Sequence, residues 1–81
     1  MKTIKYFSAS WCGPCKVFKP VMTEIKNDGY HVEFIDIDSL SNLATKYKVR
    51  SVPTVVIEDG GREVDRIVGS VSKQQVINKL L

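Results

Sequence analysis

The chain has 81 residues, 43% hydrophobic and 26% charged, the composition of one ordinary globular domain. Twelve Lys+Arg against nine Asp+Glu give a net charge of +3, and the basic residues are spread from Lys2 to Lys79, interleaved with acids, so the stripe or patch that nucleic acid demands is missing. No apolar run approaches the ~20 residues of a membrane-spanning helix.

Residues Lys2–Ser8 read as a short strand, rich in β-branched and aromatic types. The opening Met1-Lys2-Thr3-Ile4-Lys5 turns polar at Ser8 and Ser10 and contains no signal-peptide core, so the expected compartment is the cytoplasm. From Gly13 onward Val17, Val21, Met22 and Ile25 recur at helical spacing, with Lys16, Lys19, Glu24 and Lys26 on the polar face. Asn27-Asp28-Gly29 should end this helix, glycine tolerating the left-handed C-cap, and Pro20 inside it removes one backbone bond. Val32–Ile37 reads as a second strand, and Leu40, Leu43, Ala44 and Tyr47 mark a short amphipathic helix after an Asp38-Ser39 cap. Val52-Pro53 opens an apolar strand, Thr54–Glu58. Asp59-Gly60-Gly61 then closes a hairpin with Arg62–Val68. Ser72 and Gln75 stand in capping-box register, with Val71 and Val76 as a hydrophobic staple, and a last helix runs from Lys73 to the C-terminus. The expectation is a single α/β domain over residues 1–81, ordered βαβαββα. A right-handed crossover makes the first two strands parallel, giving a four-stranded mixed sheet flanked by three helices.

Two cysteines, Cys12 and Cys15, lie two residues apart. A bond between them closes almost no loop, so it restricts the unfolded chain very little, and the pair is better placed for chemistry than for stability. Structural zinc needs four ligands, and the only other soft ligand is His31, alone in a strand-like stretch. That metal would require a site shared between two chains; no metal is expected. At a helix N-terminus, unpaired N–H groups and the helix dipole favour a negative sulfur on Cys12, while Cys15, one turn inward, suits a resolving role. Two inert core thiols are the competing reading, against which Gly13-Pro14 at the helix start argues. Trp11 is either core or, as preferred, a cover for the sulfur or a partner contact. Pro14 suits the first helical turn and would stiffen it. Lys16 and Arg50 are candidates to ring this face, or plain solvated surface.

Trp11-Cys12-Gly13-Pro14-Cys15-Lys16 resembles the thioredoxin family, whose cue is a C-x-x-C near a βαβ pattern. Phe7 and Ala9 before the motif and Pro20 after it stand where thioredoxins place similar residues; Tyr47–Thr54 resembles the segment with their cis-proline, and Gly69 their substrate-groove glycine. The resemblance covers nearly the whole chain but lacks the extra N-terminal strand and helix of full-length thioredoxins, leaving a core of glutaredoxin-like length. It implies a thioredoxin-like fold with a cis Val52-Pro53 bond that exposes the Val52 backbone to a substrate peptide. Trp11, Gly13, Pro14, Val52, Pro53 and Gly69 would bind substrate. The implied activity is reduction of protein disulfides through Cys12 as nucleophile and Cys15 as resolver, in a monomer recharged by thioredoxin reductase, with no cofactor beyond the redox-active cysteines.

Two alternatives stand beside it. A glutathione-dependent glutaredoxin fits the short length and Ser51-Val52-Pro53, but typically shows Cys-Pro-Tyr-Cys and an acid near the last helix, where this chain has Gly69–Lys73. A non-catalytic module on the same fold would tolerate loss of either cysteine. One departure bears on mechanism. Thioredoxins usually carry a buried Asp where Tyr6 stands, and its paired Lys aligns with Phe34. A tyrosine cannot take that acid's place near neutral pH, so deprotonation of Cys15 is expected to fall to water or to the departing substrate thiolate.

Overall fold

The first strand ends up in the interior of the sheet, which is why its apolar residues point to both faces. In the computed structural model, which describes residues 1–81, the order is β1 (Lys2–Ser8), α1 (Gly13–Asn27), β2 (His31–Asp36), α2 (Ser41–Lys46), β3 (Thr54–Asp59), β4 (Arg62–Val68) and α3 (Lys73–Leu80). The strands lie in the order β2-β1-β3-β4. β1 pairs parallel with β2 (Ile4 opposite Val32, Tyr6 opposite Phe34) and antiparallel with β3 (Ile4 opposite Ile57). The β3–β4 hairpin is antiparallel, with a bulge beside Ile57/Glu58. The expected mixed sheet is thus present.

One face of the sheet carries the main core: Ile4, Tyr6, Val32, Val55, Ile57 and Ile67 from the strands meet Phe18, Met22 and Ile25 of α1 and Val76 and Leu80 of α3. The helical stripe differs from the expected one, since Phe18 is buried and Val17 is 75% exposed. At 100° per residue, Phe18, Met22 and Ile25 form one line (i, i+4, i+7) facing the sheet, and Val17 falls a quarter-turn outside it. Gly29, with φ +103°, follows the helix in the left-handed conformation that ends it. The α3 capping box is complete, Ser72 and Gln75 each accepting from the other's backbone N–H.

The opposite face is covered less fully. Phe7, Ile35 and Val56 pack against Ile37, Leu43, Tyr47, Val49 and Val52 around the short α2. β2 begins and ends one residue earlier than the pattern suggests, because Ile37 has already left the strand, its N–H donating to the Ser8 carbonyl at 2.9 Å. The expected Asp38-Ser39 cap is not formed: Leu40 is the N-cap and makes no side-chain capping bond. Instead Asp36 Oδ1 accepts from the N–H groups of Asp38 (2.8 Å) and Ser39 (3.2 Å), so the carboxylate that orders this turn comes from the end of the strand. Where α2 runs out, a polar cluster takes over. Buried Glu58 accepts from the Tyr47 hydroxyl at 2.8 Å and pairs with Lys5 at 3.3 Å, and Lys5 also reaches Glu33.

Candidate functional site

Three loops converge beyond the C-terminal end of β1. They carry Trp11–Cys15, Val52–Pro53 and Gly69–Ser70. The first is drawn tight by the Cys12 N–H, which donates to the Ala9 carbonyl at 3.2 Å, leaving Cys12 extended as the N-cap of α1. Gly13 and Pro14 then fill the first two helical positions, where proline's missing N–H costs no helix bond. Cys12 and Cys15 are joined by a disulfide with their Cα atoms 5.3 Å apart. The backbone N–H of Cys15 donates to Cys12 Sγ at 3.1 Å, as a capping side chain would accept.

Both cysteines are buried: Cys12 is 5% exposed and Cys15 3%. That corrects the expectation that the Gly13-Pro14 turn keeps the pair from being buried together. The turn itself is exposed, but the sulfurs fold under it into a small apolar cluster with Ala9, Ile37 and Val52. The two cysteines are therefore distinguished by helical position, cap against first turn, and not by accessibility. Trp11 is 64% exposed, so it is no core residue, and its indole N–H donates to Asp38 Oδ2 at 2.9 Å, which holds the ring beside the turn.

The Val52-Pro53 peptide is cis. The Val52 carbonyl oxygen lies 3.7 Å from Cys12 Sγ, so this loop touches the disulfide directly. Gly69, at φ +92°, turns the chain after β4 and donates its N–H to the Pro53 carbonyl at 2.9 Å. Ser70, which the sequence did not single out, donates from Oγ to the Pro14 carbonyl at 3.3 Å. Trp11, Gly13, Pro14, Val52, Pro53 and Gly69 are therefore brought together around the disulfide. Lys16 and Arg50 are both exposed, and Lys16 follows directly on Cys15 in α1.

Beneath the site, Tyr6 is fully buried, and its hydroxyl donates to the Cys15 carbonyl at 2.9 Å. Burial pushes the phenol up to about 12. Its ring meets Phe18 and the cross-strand Phe34 edge-on, each at 5.8 Å, so two aromatic rings in register occupy the positions where the sequence showed an acid–lysine pair to be missing. A cleft of about 290 Å³ opens beside the disulfide, lined by Ser8, Ala9, Ser10, Cys15, Lys16, Lys19 and Asp36. The sequence put Asp36 in the second strand and Asp38 in a helix cap, and tied neither to the site. Their only signal was an Asp-Ile-Asp that closes an apolar strand.

The thioredoxin family model matches residues 2–81. A thioredoxin H-type from Fagopyrum esculentum is 43% identical over 76 residues, covering 91% of this chain and 65% of that protein. A bifunctional thioredoxin reductase/thioredoxin from Mycobacterium leprae is 38% identical over 77 residues, covering 91% of this chain and 17% of its own length. Among solved structures, a variant thioredoxin from Halobacterium salinarum superposes with a TM-score of 0.91 at 33% identity, covering 96% of this chain and 70% of that one. The chain spans roughly half to two thirds of the first curated relatives it matches (65%, 48% and 61% of their lengths). With a match that runs from the second residue to the last, on a fold of the same shape, the chain belongs to the thioredoxin family.

Proposed function

We propose that this domain is a thiol–disulfide oxidoreductase that reduces disulfides in other proteins. One observation carries the reading: Cys12 sits at the N-cap of α1 with the Cys15 N–H aimed at its sulfur, and Cys15 is close enough to bond it. In the reduced protein that N–H and the helix N-terminus favour a thiolate on Cys12. The thiolate attacks one sulfur of a substrate disulfide, forming a mixed disulfide and releasing the first substrate thiolate. Cys15 then attacks Cys12 Sγ, the bond to the substrate breaks, and the second substrate sulfur leaves as a thiolate. Two electrons pass from the cysteine pair to the substrate.

Val52, half-buried and reaching Cys12 through its carbonyl, supplies backbone for strand-like pairing with the substrate chain. Trp11, Gly13, Pro14 and Gly69 form the surrounding surface, while Pro53, expected to bind substrate, is fully buried and shapes the loop from beneath. Recharging falls to a thioredoxin reductase, a pairing supported by the Mycobacterium leprae relative, whose name joins the two activities in one protein. The first turn of α3 has no acidic residue to hold a glutathione amino group, which disfavours the glutaredoxin alternative. No helix is long and apolar enough to cross a membrane. We place the protein, as a monomer, in the cytoplasm, where dithiols are kept reduced. NADPH consumption during insulin reduction, with thioredoxin reductase or with glutathione and its reductase, tests the assignment. Faster turnover in the glutathione arm would reverse it.

A further inference from the structure

The resolving step requires Cys15 to lose its proton, and Cys15 is buried. Tyr6, the polar side chain directly beneath it, cannot serve as base: its hydroxyl is already a donor to the Cys15 carbonyl and is held protonated by burial. The remaining route is the cleft beside the disulfide, which is large and polar enough to hold several waters. Among its lining side chains, Lys16 and Lys19 are donors without a lone pair, and Ser8 and Ser10 are neutral hydroxyls. Asp36 is the one carboxylate.

The sheet register explains its presence there. Asp36 stands opposite Ser8, two positions beyond the Tyr6–Phe34 pair, so it falls on the same face of the sheet, under the first turns of α1. It is half-buried, and Oδ1 is committed to the Asp38 and Ser39 N–H groups. Oδ2 receives no hydrogen bond from the protein. The charged groups facing it across the cleft are Lys16 and Lys19 of α1, while Asp38, on its own turn, is occupied by the Trp11 indole.

We infer that Asp36 is the proton acceptor for Cys15 in the resolving step, acting through water in this cleft. The inference rests on the dithiol reading above. The Cys15 thiol gives its proton through water to the Asp36 carboxylate. The resulting thiolate attacks Cys12 Sγ of the mixed disulfide, the Cys12–substrate S–S bond breaks, and the electron pair leaves on the substrate sulfur. That sulfur then takes up the proton from the Asp36 carboxyl or from solvent. Asp36 therefore replaces the expectation that Cys15 relies on solvent or the leaving thiolate alone.

Asp36→Asn is the decisive variant, because asparagine keeps the carbonyl oxygen that orders the turn and removes the charge and the basicity of the carboxylate. A symmetric nitrothiobenzoate disulfide, mixed with reduced protein in stopped flow, releases one coloured thiolate when Cys12 attacks and a second when Cys15 resolves. In Asp36→Asn the first release should match the parent. The second should slow about 100-fold at pH 7, regain speed as pH rises, and be restored by added imidazole. Asp36→Ser, which also retains a turn-ordering oxygen, should behave alike and serves if the first variant folds poorly. A second release at the parental rate in either variant, or equal slowing of both releases, would overturn the proposal. A parent that releases neither thiolate would refute the dithiol reading and this proposal with it.

Discussion

Replacing Tyr6 by phenylalanine isolates a single hydroxyl that ties the central strand to the active-site helix. The ring stays, with its edge-on contacts to Phe18 and Phe34, and only the 2.9 Å bond to the Cys15 carbonyl is lost. A buried neutral hydrogen bond is worth about 1 kcal/mol net. For a domain of this size that corresponds to a fall in Tm of roughly 4–8 °C. The pH dependence makes the test sharper. Folding raises the phenol from 10.0 to about 12, so the protonated form is the one the fold favours. The associated stability is fully present below pH 10 and is lost as pH rises through about 12. A shift of that size amounts to roughly 3 kcal/mol at 1.36 kcal/mol per pH unit. Tyr6→Phe lacks the group and lacks this loss. Tyr47 and Lys5, also raised, are common to both proteins and cancel in the difference. The variant should therefore be less stable than the parent at pH 7, draw level at about pH 10.5–11, and be the more stable of the two above that. Urea unfolding of both oxidised proteins from pH 7 to 12 gives the comparison. Equal stability at pH 7 with parallel profiles would show that the hydroxyl neither bonds nor titrates as described.

Two further perturbations address parts of the fold that hold the site in place. Lys5→Met leaves the buried Glu58 carboxylate with only the Tyr47 hydroxyl as a close partner and should cost about 3 kcal/mol, read as a lower urea midpoint at pH 7. A change within about 0.5 kcal/mol, as at an ordinary surface position, would mean the pair is solvated. Gly69→Ala meets no atom within 4 Å, so its cost is conformational, roughly 1 kcal/mol for a side chain at φ +92°. Insulin reduction should slow as well, because relaxing that φ shifts the backbone N–H that Gly69 donates to Pro53; an alanine variant as fast and as stable as the parent would remove Gly69 from the site.

Element order and sheet composition were legible because each strand is bounded by strong punctuation: Asp28-Gly29, Pro53 and Asp59-Gly60-Gly61. The motif also located the disulfide and the loops around it. Three things were hidden, each for a physical reason. Val17 and Phe18 are adjacent and both apolar, so periodicity alone did not say which of them meets the sheet; the outcome was set by where α1 lies against β1. The burial of Cys12 depends on Ile37 and Val52, residues far along the chain whose approach no local pattern encodes. Asp36 read as one more residue of the second strand, Val32–Ile37, and alternation along a single strand does not say which neighbour lies over each face. Only the parallel register of β2 on β1 places its carboxylate under α1.

The central claim is that Cys12 attacks and Cys15 resolves, and trapping the intermediate tests it most directly. Reduced Cys15→Ser and Cys12→Ser proteins are mixed with a disulfide-bonded protein substrate, quenched with a thiol-blocking reagent, and separated without reductant. Cys15→Ser should accumulate a covalent complex, with mass spectrometry locating the bond at Cys12, and Cys12→Ser should give none. Trapping by Cys12→Ser as efficient as by Cys15→Ser, or no complex with either, would contradict the account.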